Sequence, residues 1–276
     1  MKEQVLVTKE KKIKNSTIDQ NEHDKFYQMA EEWWDPNGKF KTLHKFNPVR
    51  IAFIREKIIT HFKINSSNKK PFNKIKLLDV GCGGGLLCEP MSKLGANVTG
   101  IDIVEKNIKT ASAHAEVNQL PIKYLVNTVE ELAEKKTKYD VILNMEVIEH
   151  VSDISLFIRS CSDLLSENGI MIFASLNRTL ISYGLAIIGV EYILGWLPKG
   201  THDWNKFLKP EELEKILSNE KFSTIDIKGL EFNPILKKSR DSKMNVYNSV
   251  PSVQRDAEKL KDFALRKTLN DMEPQM

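Results

Sequence analysis

The chain has 276 residues, of which 41% are apolar, 28% charged and 8% aromatic, a composition that excludes collagenous, low-complexity and globally disordered classes. Lys and Arg number 41 against 37 Asp and Glu, and the resulting formal charge of +4 is too small and too dispersed to point to nucleic acid. Three cysteines (Cys82, Cys88, Cys161) form neither a disulfide framework nor a metal-type spacing, which suits a reducing, cytoplasmic setting.

Residues 1–22 mix Lys with Glu and Asp, lack the apolar stretch of a signal peptide and read as a disordered arm. A single domain is expected over 23–250, opening with a helical cap over 23–70. There, aromatic residues surround the turn sequence Asp35-Pro36-Asn37-Gly38, and Asn47-Pro48 supplies an N-cap and a first-turn proline for a helix. From Ile75 onward strand and helix patterns alternate. Strands are predicted at 75–80, 97–102, 122–126, 139–144, 169–175 and 222–228, and helices near 86–94, 104–118, 129–136, 153–165 and 210–218. This alternation predicts an α/β fold, a parallel sheet with helices on both faces. A final strand at 244–250 and a charged tail or helix over 251–276, centred on 252–270, complete the prediction.

One segment interrupts the alternation. Leu180 to Pro198 is nineteen residues long with Glu191 as its one charge. A membrane-spanning helix is disfavoured by Glu191 and three glycines. A core helix and a dimer contact stay open beside the favoured reading, an interfacial element over about 178–205. In that reading Arg178, Lys199, His202 and Lys206 meet anionic headgroups at a membrane surface.

The strongest chemical signal is the run from the first strand into Gly81-Cys82-Gly83-Gly84-Gly85. Glycines there permit positive φ angles and close approach of a ligand to backbone N–H groups. Asp102, ending the second strand, is placed to accept hydrogen bonds from ribose hydroxyls at the switch point of the sheet. A dinucleotide fingerprint requires glycine at position 86, which is Leu86. The observed spacing, Asp79-x-Gly81-x-Gly83-x-Gly85, instead resembles motif I of class I S-adenosylmethionine methyltransferases. A second constellation follows the fourth strand. On a helical turn Glu146, Glu149 and His150 share a face and form a candidate Mg²⁺ site, or His150 acts alone as general base, since imidazoles titrate near neutral pH.

Together, Glu32-Trp33-Trp34-Asp35-Pro36, Asn47-Pro48-Val49-Arg50, the Leu78–Gly85 run, Met145-Glu146-Val147-Ile148-Glu149-His150 and Pro198-Lys199-Gly200-Thr201-His202-Asp203 resemble the ubiquinone-biosynthesis O-methyltransferases from about residue 23 to 236. The resemblance implies a Rossmann-like class I sheet, mostly parallel with an antiparallel last strand. It also implies S-adenosyl-L-methionine-dependent O-methylation of polyprenylated catechol and demethylubiquinol intermediates. By the same resemblance, Arg50, Gly81, Asp102 and Met145 line the cofactor site beside Asp79 and Gly83. Glu146, Glu149 and His150 are the catalytic group, with a divalent metal such as Mg²⁺ in some members, and the 178–203 segment touches the inner membrane from the cytoplasmic side. Methyltransferases of other small lipophilic substrates, and a non-catalytic S-adenosylmethionine-binding module, remain as alternatives.

Overall fold

The computed structural model describes residues 17–176, 178, 206–233, 238–242 and 248–255. Eight strands form one sheet: β1 (Lys76–Val80), β2 (Asn97–Asp102), β3 (Lys123–Val126), β4 (Tyr139–Met145), β5 (Leu165–Leu176), β6 (Phe222–Asn233), β7 (Lys238–Ser242) and β8 (Asn248–Arg255). Their spatial order is β3-β2-β1-β4-β5-β8-β6-β7. Strands β1 to β5 are mutually parallel. Strand β8 inserts antiparallel between β5 and β6, which therefore runs parallel to the central strands, and β7 adds an antiparallel edge.

Seven helices flank the sheet among the described residues: α1 (Gln20–Met29), α2 (Lys41–His61), α3 (Cys88–Lys93), α4 (Glu105–Val117), α5 (Val129–Ala133), α6 (Ile154–Leu164) and α7 (Pro210–Asn219). The central strands are mostly apolar because both faces are covered, with Asp79, Asp102 and Asn144 as buried exceptions towards the carboxyl ends of β1, β2 and β4. Leu77, Val141, Leu143, Ile170 and Ile172 pack with Phe53, Ile54 and Ile58 of α2 on one face. On the other, Leu78, Ile142, Met171 and Phe173 pack with Phe157, Ile158 and Cys161 of α6 and Leu213 and Leu217 of α7.

Several boundaries differ from expectation. Within the arm expected over 1–22, residues 17–22 are structured and 1–16 lie outside the described residues: the Thr17 hydroxyl donates to Glu130 at 2.7 Å, its carbonyl accepts from Ser152 N–H at 3.0 Å, and α1 begins at Gln20. Helix α2 starts at Lys41, not at Asn47, and carries Pro48 within it. Burial of Phe46, together with the Asn47 side-chain bond to the Leu86 carbonyl, offsets the helix-breaking cost of that proline. At the other end, β8 occupies 248–255, so residues 252–255 are strand where a helix was expected. The rest of that charged tail, and 179–205, lie outside the described residues. Among the described residues no helix is long and apolar enough to cross a membrane.

Candidate functional site

The switch point of the sheet lies between β1 and β4, where Val80 pairs with Asn144 and the chains leave in opposite directions. From β1 the chain enters the glycine turn. Gly81, Gly83 and Gly85 adopt φ of +65°, +53° and +86°, and a Cβ at Gly83 would stand 2.3 Å from the Trp33 ring. The turn is tied back by the Cys82 N–H to the Ile101 carbonyl (2.9 Å) and by the Gly83 N–H to Asp102 Oδ2 (2.9 Å). Asp102 Oδ1 accepts from the Val104 N–H at 2.8 Å and from Asn107 Nδ2 at 3.3 Å. Burial raises the Asp102 carboxyl above its ordinary range, against the lowering effect of these donors. Beneath the turn Asp79 is buried, accepts from the Cys88 thiol at 3.2 Å, and is pushed by burial up to about 7. The Asp102 charge adds to that rise, and the thiol bond opposes it.

The cap closes over this turn. Trp33 stacks on Phe40 at 3.7 Å and donates from Nε1 to Asn107 Oδ1 at 2.8 Å. Trp34 donates to the Gly84 carbonyl at 2.9 Å and stacks on His114 at 3.5 Å, whose Nδ1 meets the buried Glu89. Leu86, at the position a dinucleotide fold reserves for glycine, packs with Met29, Trp33 and Phe40.

From β4 the chain leaves through Glu146, whose φ of +58° is a strained left-handed conformation for a non-glycine residue. Its N–H bonds the Ala174 carbonyl at 2.8 Å and its carboxylate pairs with Arg50 of α2. Arg50 is 3% exposed and its Nε, buried, has no acceptor among the described residues. Met145, nearly buried, ends β4 beside the pair. A 3-10 turn over Ile148–His150 follows. Glu149 is buried within it, and His150 Nδ1 lies 2.9 Å from Glu22 Oε2.

A methyltransferase-domain family model matches residues 50–226. The ubiquinone biosynthesis O-methyltransferase of Pelagibacter ubique is 58% identical over 218 residues, spanning 79% of this chain and 90% of that protein. Its counterpart in Bartonella tribocorum is 53% identical over 220 residues, spanning 80% and 89%. The chain belongs to the ubiquinone biosynthesis O-methyltransferase family. It is a class I S-adenosylmethionine-dependent O-methyltransferase. Among solved structures, the PH0226 protein of Pyrococcus horikoshii shares the fold with a TM-score of 0.56 at 15% identity, over 84% of this chain and 98% of that one. A SAM-dependent methyltransferase from Aquifex aeolicus shares it at 0.50 and 14% identity, over 72% and 87%.

Against that family, the sites expected from sequence divide into two groups. Asp79, Gly81, Gly83 and Asp102 converge at the glycine turn, and Arg50 with Met145 and Glu146 lines the β4 side. These residues fit S-adenosylmethionine: a glycine turn at positive φ, a buried guanidinium whose Nε lacks an acceptor among the described residues, and Asp102 at the end of β2, where folds of this type place a ribose. The expected metal triad does not fit a divalent cation. Because the chain leaves β4 through a left-handed residue, Glu146 is not on one helical face with Glu149 and His150. Glu146 is engaged by Arg50 and His150 by Glu22, and no three His, Cys, Asp or Glu side chains converge on a metal position among the described residues. Sequence reasoning missed Glu22, which it placed in a disordered arm, and Asn107, a polar residue in an otherwise ordinary helix. It quoted Trp33 and Trp34 without a role. The i,i+3 charge pair Glu22 with Lys25 was the available sign that residues 20–29 form a helix.

Proposed function

We propose that this chain methylates phenolic hydroxyls of polyprenylated catechol and demethylubiquinol intermediates, working from the cytoplasm at the inner-membrane surface. What carries the reading is that the segments most specific to the family, around Trp33-Trp34 and Asn47–Arg50, are the ones that wall the glycine turn and supply its buried guanidinium. S-adenosylmethionine, when bound, would supply an electrophilic methyl on a sulfonium sulfur that is itself a good leaving group, so alignment of donor and acceptor is the enzyme's main task.

The chain's own residues then have three tasks. The glycine turn and Asp102 hold the adenosyl end, and Arg50, kept in place by Glu146, receives the methionyl carboxylate. The aromatic cap over Gly83 and Gly84 keeps water from the turn. His150 takes the proton of the phenol as the oxygen attacks carbon, the C–S electron pair passing to sulfur. The substrate's isoprenoid tail stays in the bilayer, with the 178–205 segment as the contact. The two bordering cations that are described are ion-paired within the chain, Arg178 to Glu212 and Lys206 to Asp19. Lys199 and His202, the other bordering groups, lie outside the described residues. The test is product analysis after incubation with S-adenosylmethionine and a short-chain prenyl catechol, with and without EDTA and Mg²⁺. A mono-methyl ether is expected. Turnover of unprenylated phenols with none of the prenyl catechol would refute the substrate class.

A further inference from the structure

Helix α4 meets the cap through three side chains of its first two turns. Lys106 Nζ reaches Glu31 at 2.8 Å, Asn107 Oδ1 accepts from Trp33 Nε1 at 2.8 Å, and Thr110 donates to the Ala30 carbonyl at 3.1 Å. Asn107 is the most deeply placed of them, 1% exposed, and its amide continues inward. Its Nδ2 lies 3.3 Å from Asp102 Oδ1, an oxygen that also accepts from the Val104 N–H at 2.8 Å. Asp102 Oδ2 takes the Gly83 N–H at 2.9 Å. Three donors thus hold the carboxylate on both oxygens, two from the backbone and one from a side chain. Chemistry settles the direction of the amide. An indole N–H only donates, so the Asn107 oxygen faces Trp33 and the NH2 group faces Asp102. Trp33 itself lies against Gly83 and Gly84, where an added Cβ would stand 2.3 Å from its atoms.

We propose that Asn107 is a positioning residue for the cofactor's ribose, acting through Asp102, with its amide direction set by Trp33 of the N-terminal cap. The position demands an acceptor on one side and a donor on the other, 2.8 and 3.3 Å from their partners, within one short side chain. An ionised aspartate there would supply the acceptor without the donor, and leucine supplies neither. The donor matters because Asp102 is buried. Burial works against the ionised form, and donors to the carboxylate favour it and keep its lone pairs available to ribose hydroxyls. The Val104 and Gly83 donors belong to the backbone and persist whatever side chains surround them. Asn107 is the contact that a change in the cap can reach. With Trp33 displaced the amide is free to turn over, and a turned amide sets its oxygen against the carboxylate. The cap is thereby tied to cofactor affinity. This inference rests on Asp102 as the ribose contact in the reading of the site above.

The test is calorimetry of the full chain with two ligands, S-adenosylhomocysteine and its analogue lacking both ribose hydroxyls. Hydrogen bonds to a charged group are worth about 10–100-fold in affinity, so the wild type is expected to prefer the intact ribose by about that factor. Asn107→Leu is expected to weaken S-adenosylhomocysteine about ten-fold, while the affinity for the dideoxy analogue changes less than about two-fold. In turnover the same loss should fall on KM for S-adenosylmethionine and not on kcat. Trp33→Phe removes the indole donor, keeps an aromatic ring over the turn, and should lose part of the same preference. It gives the readout should Asn107→Leu fail to fold. A preference left at its wild-type size overturns the proposal, whether both ligands weaken equally through damaged packing or neither changes. A wild type that binds both ligands alike overturns the assignment of Asp102 to the ribose, and the role of Asn107 with it.

Discussion

Asp79 gives the sharpest test of the site's electrostatics. Its carboxyl is buried beneath the glycine turn with one weak donor, the Cys88 thiol, and titrates at about 7 where an exposed aspartate titrates at 3.8. Below pH 3.8 the group is protonated in folded and unfolded chains alike and has no effect on the balance. Between there and about 7 the unfolded chain releases the proton while the folded chain keeps it, so the group destabilises the fold further with each pH unit, and the penalty is complete above about 7. At about 1.4 kcal/mol per pH unit, the rise from 3.8 to about 7 corresponds to about 4 kcal/mol, a ceiling that local relaxation reduces toward about 2. Asp79→Asn removes the titration and retains the shape. Urea melts of both proteins from about pH 4 to 8 should show the variant gaining about 2–4 kcal/mol on the wild type across that interval, then holding constant. Cofactor binding should reverse the logic: the cationic ligand favours the carboxylate, so S-adenosylmethionine binding near neutral pH should release protons. Calorimetry in two buffers of different ionisation heat should detect this release in the wild type and not in Asp79→Asn. Parallel stability curves for the two proteins would refute the reasoning.

Gly83→Ala places a Cβ 2.3 Å from the Trp33 ring at a φ of +53°, so a loss of about 3 kcal/mol in melts and of cofactor affinity in calorimetry is expected. Glu22, held at about 2 against 4.5 unfolded, contributes stability above pH 4.5 that disappears as the pH falls toward 2. Glu22→Gln should therefore cost about 2 kcal/mol near neutral pH and nothing in acid, as read by melts at both. EDTA should leave turnover of prenyl catechol within error of the untreated enzyme, because Glu146 and His150 already have partners in Arg50 and Glu22. Liposome flotation should weaken when 180–198 is replaced by a short polar linker, and unchanged flotation would return that segment to the core.

The sheet was legible because its evidence is local. Six strands were drawn from apolar runs and turn signals, and each corresponds to a strand of the structure. The lengthened β5 and β6 were not legible: Leu165 joins the sheet by pairing with Tyr139 of β4 across a register shift, and residues 229–233 are strand because they pair with β7. The start of α2 was missed for a related reason. Asn47-Pro48 is a genuine local start signal, but Phe40 and Phe46 gain more from burial against the cap and core than the helix loses at Pro48. The glycine turn could be read from one short run of glycines and two spaced aspartates. The acidic half could not, because its geometry depends on one backbone angle: a single left-handed residue at Glu146 separates three side chains that a helical turn would have grouped.

The same angle explains how the two halves are joined. Turned left-handed at Glu146, the chain sends that carboxylate back to Arg50 on α2 and carries His150 onward to Glu22 on α1. Trp33, between those helices, reaches through Asn107 to Asp102 at the end of β2. Each of the three elements preceding the sheet thus contributes one polar contact to a different part of the proposed site: Asp102 at the glycine turn, Arg50 beside β4, and His150. None of these contacts is strong by itself, and a buried hydrogen bond nets about 1 kcal/mol. Their consequence is cooperative, because undocking the cap breaks all three together.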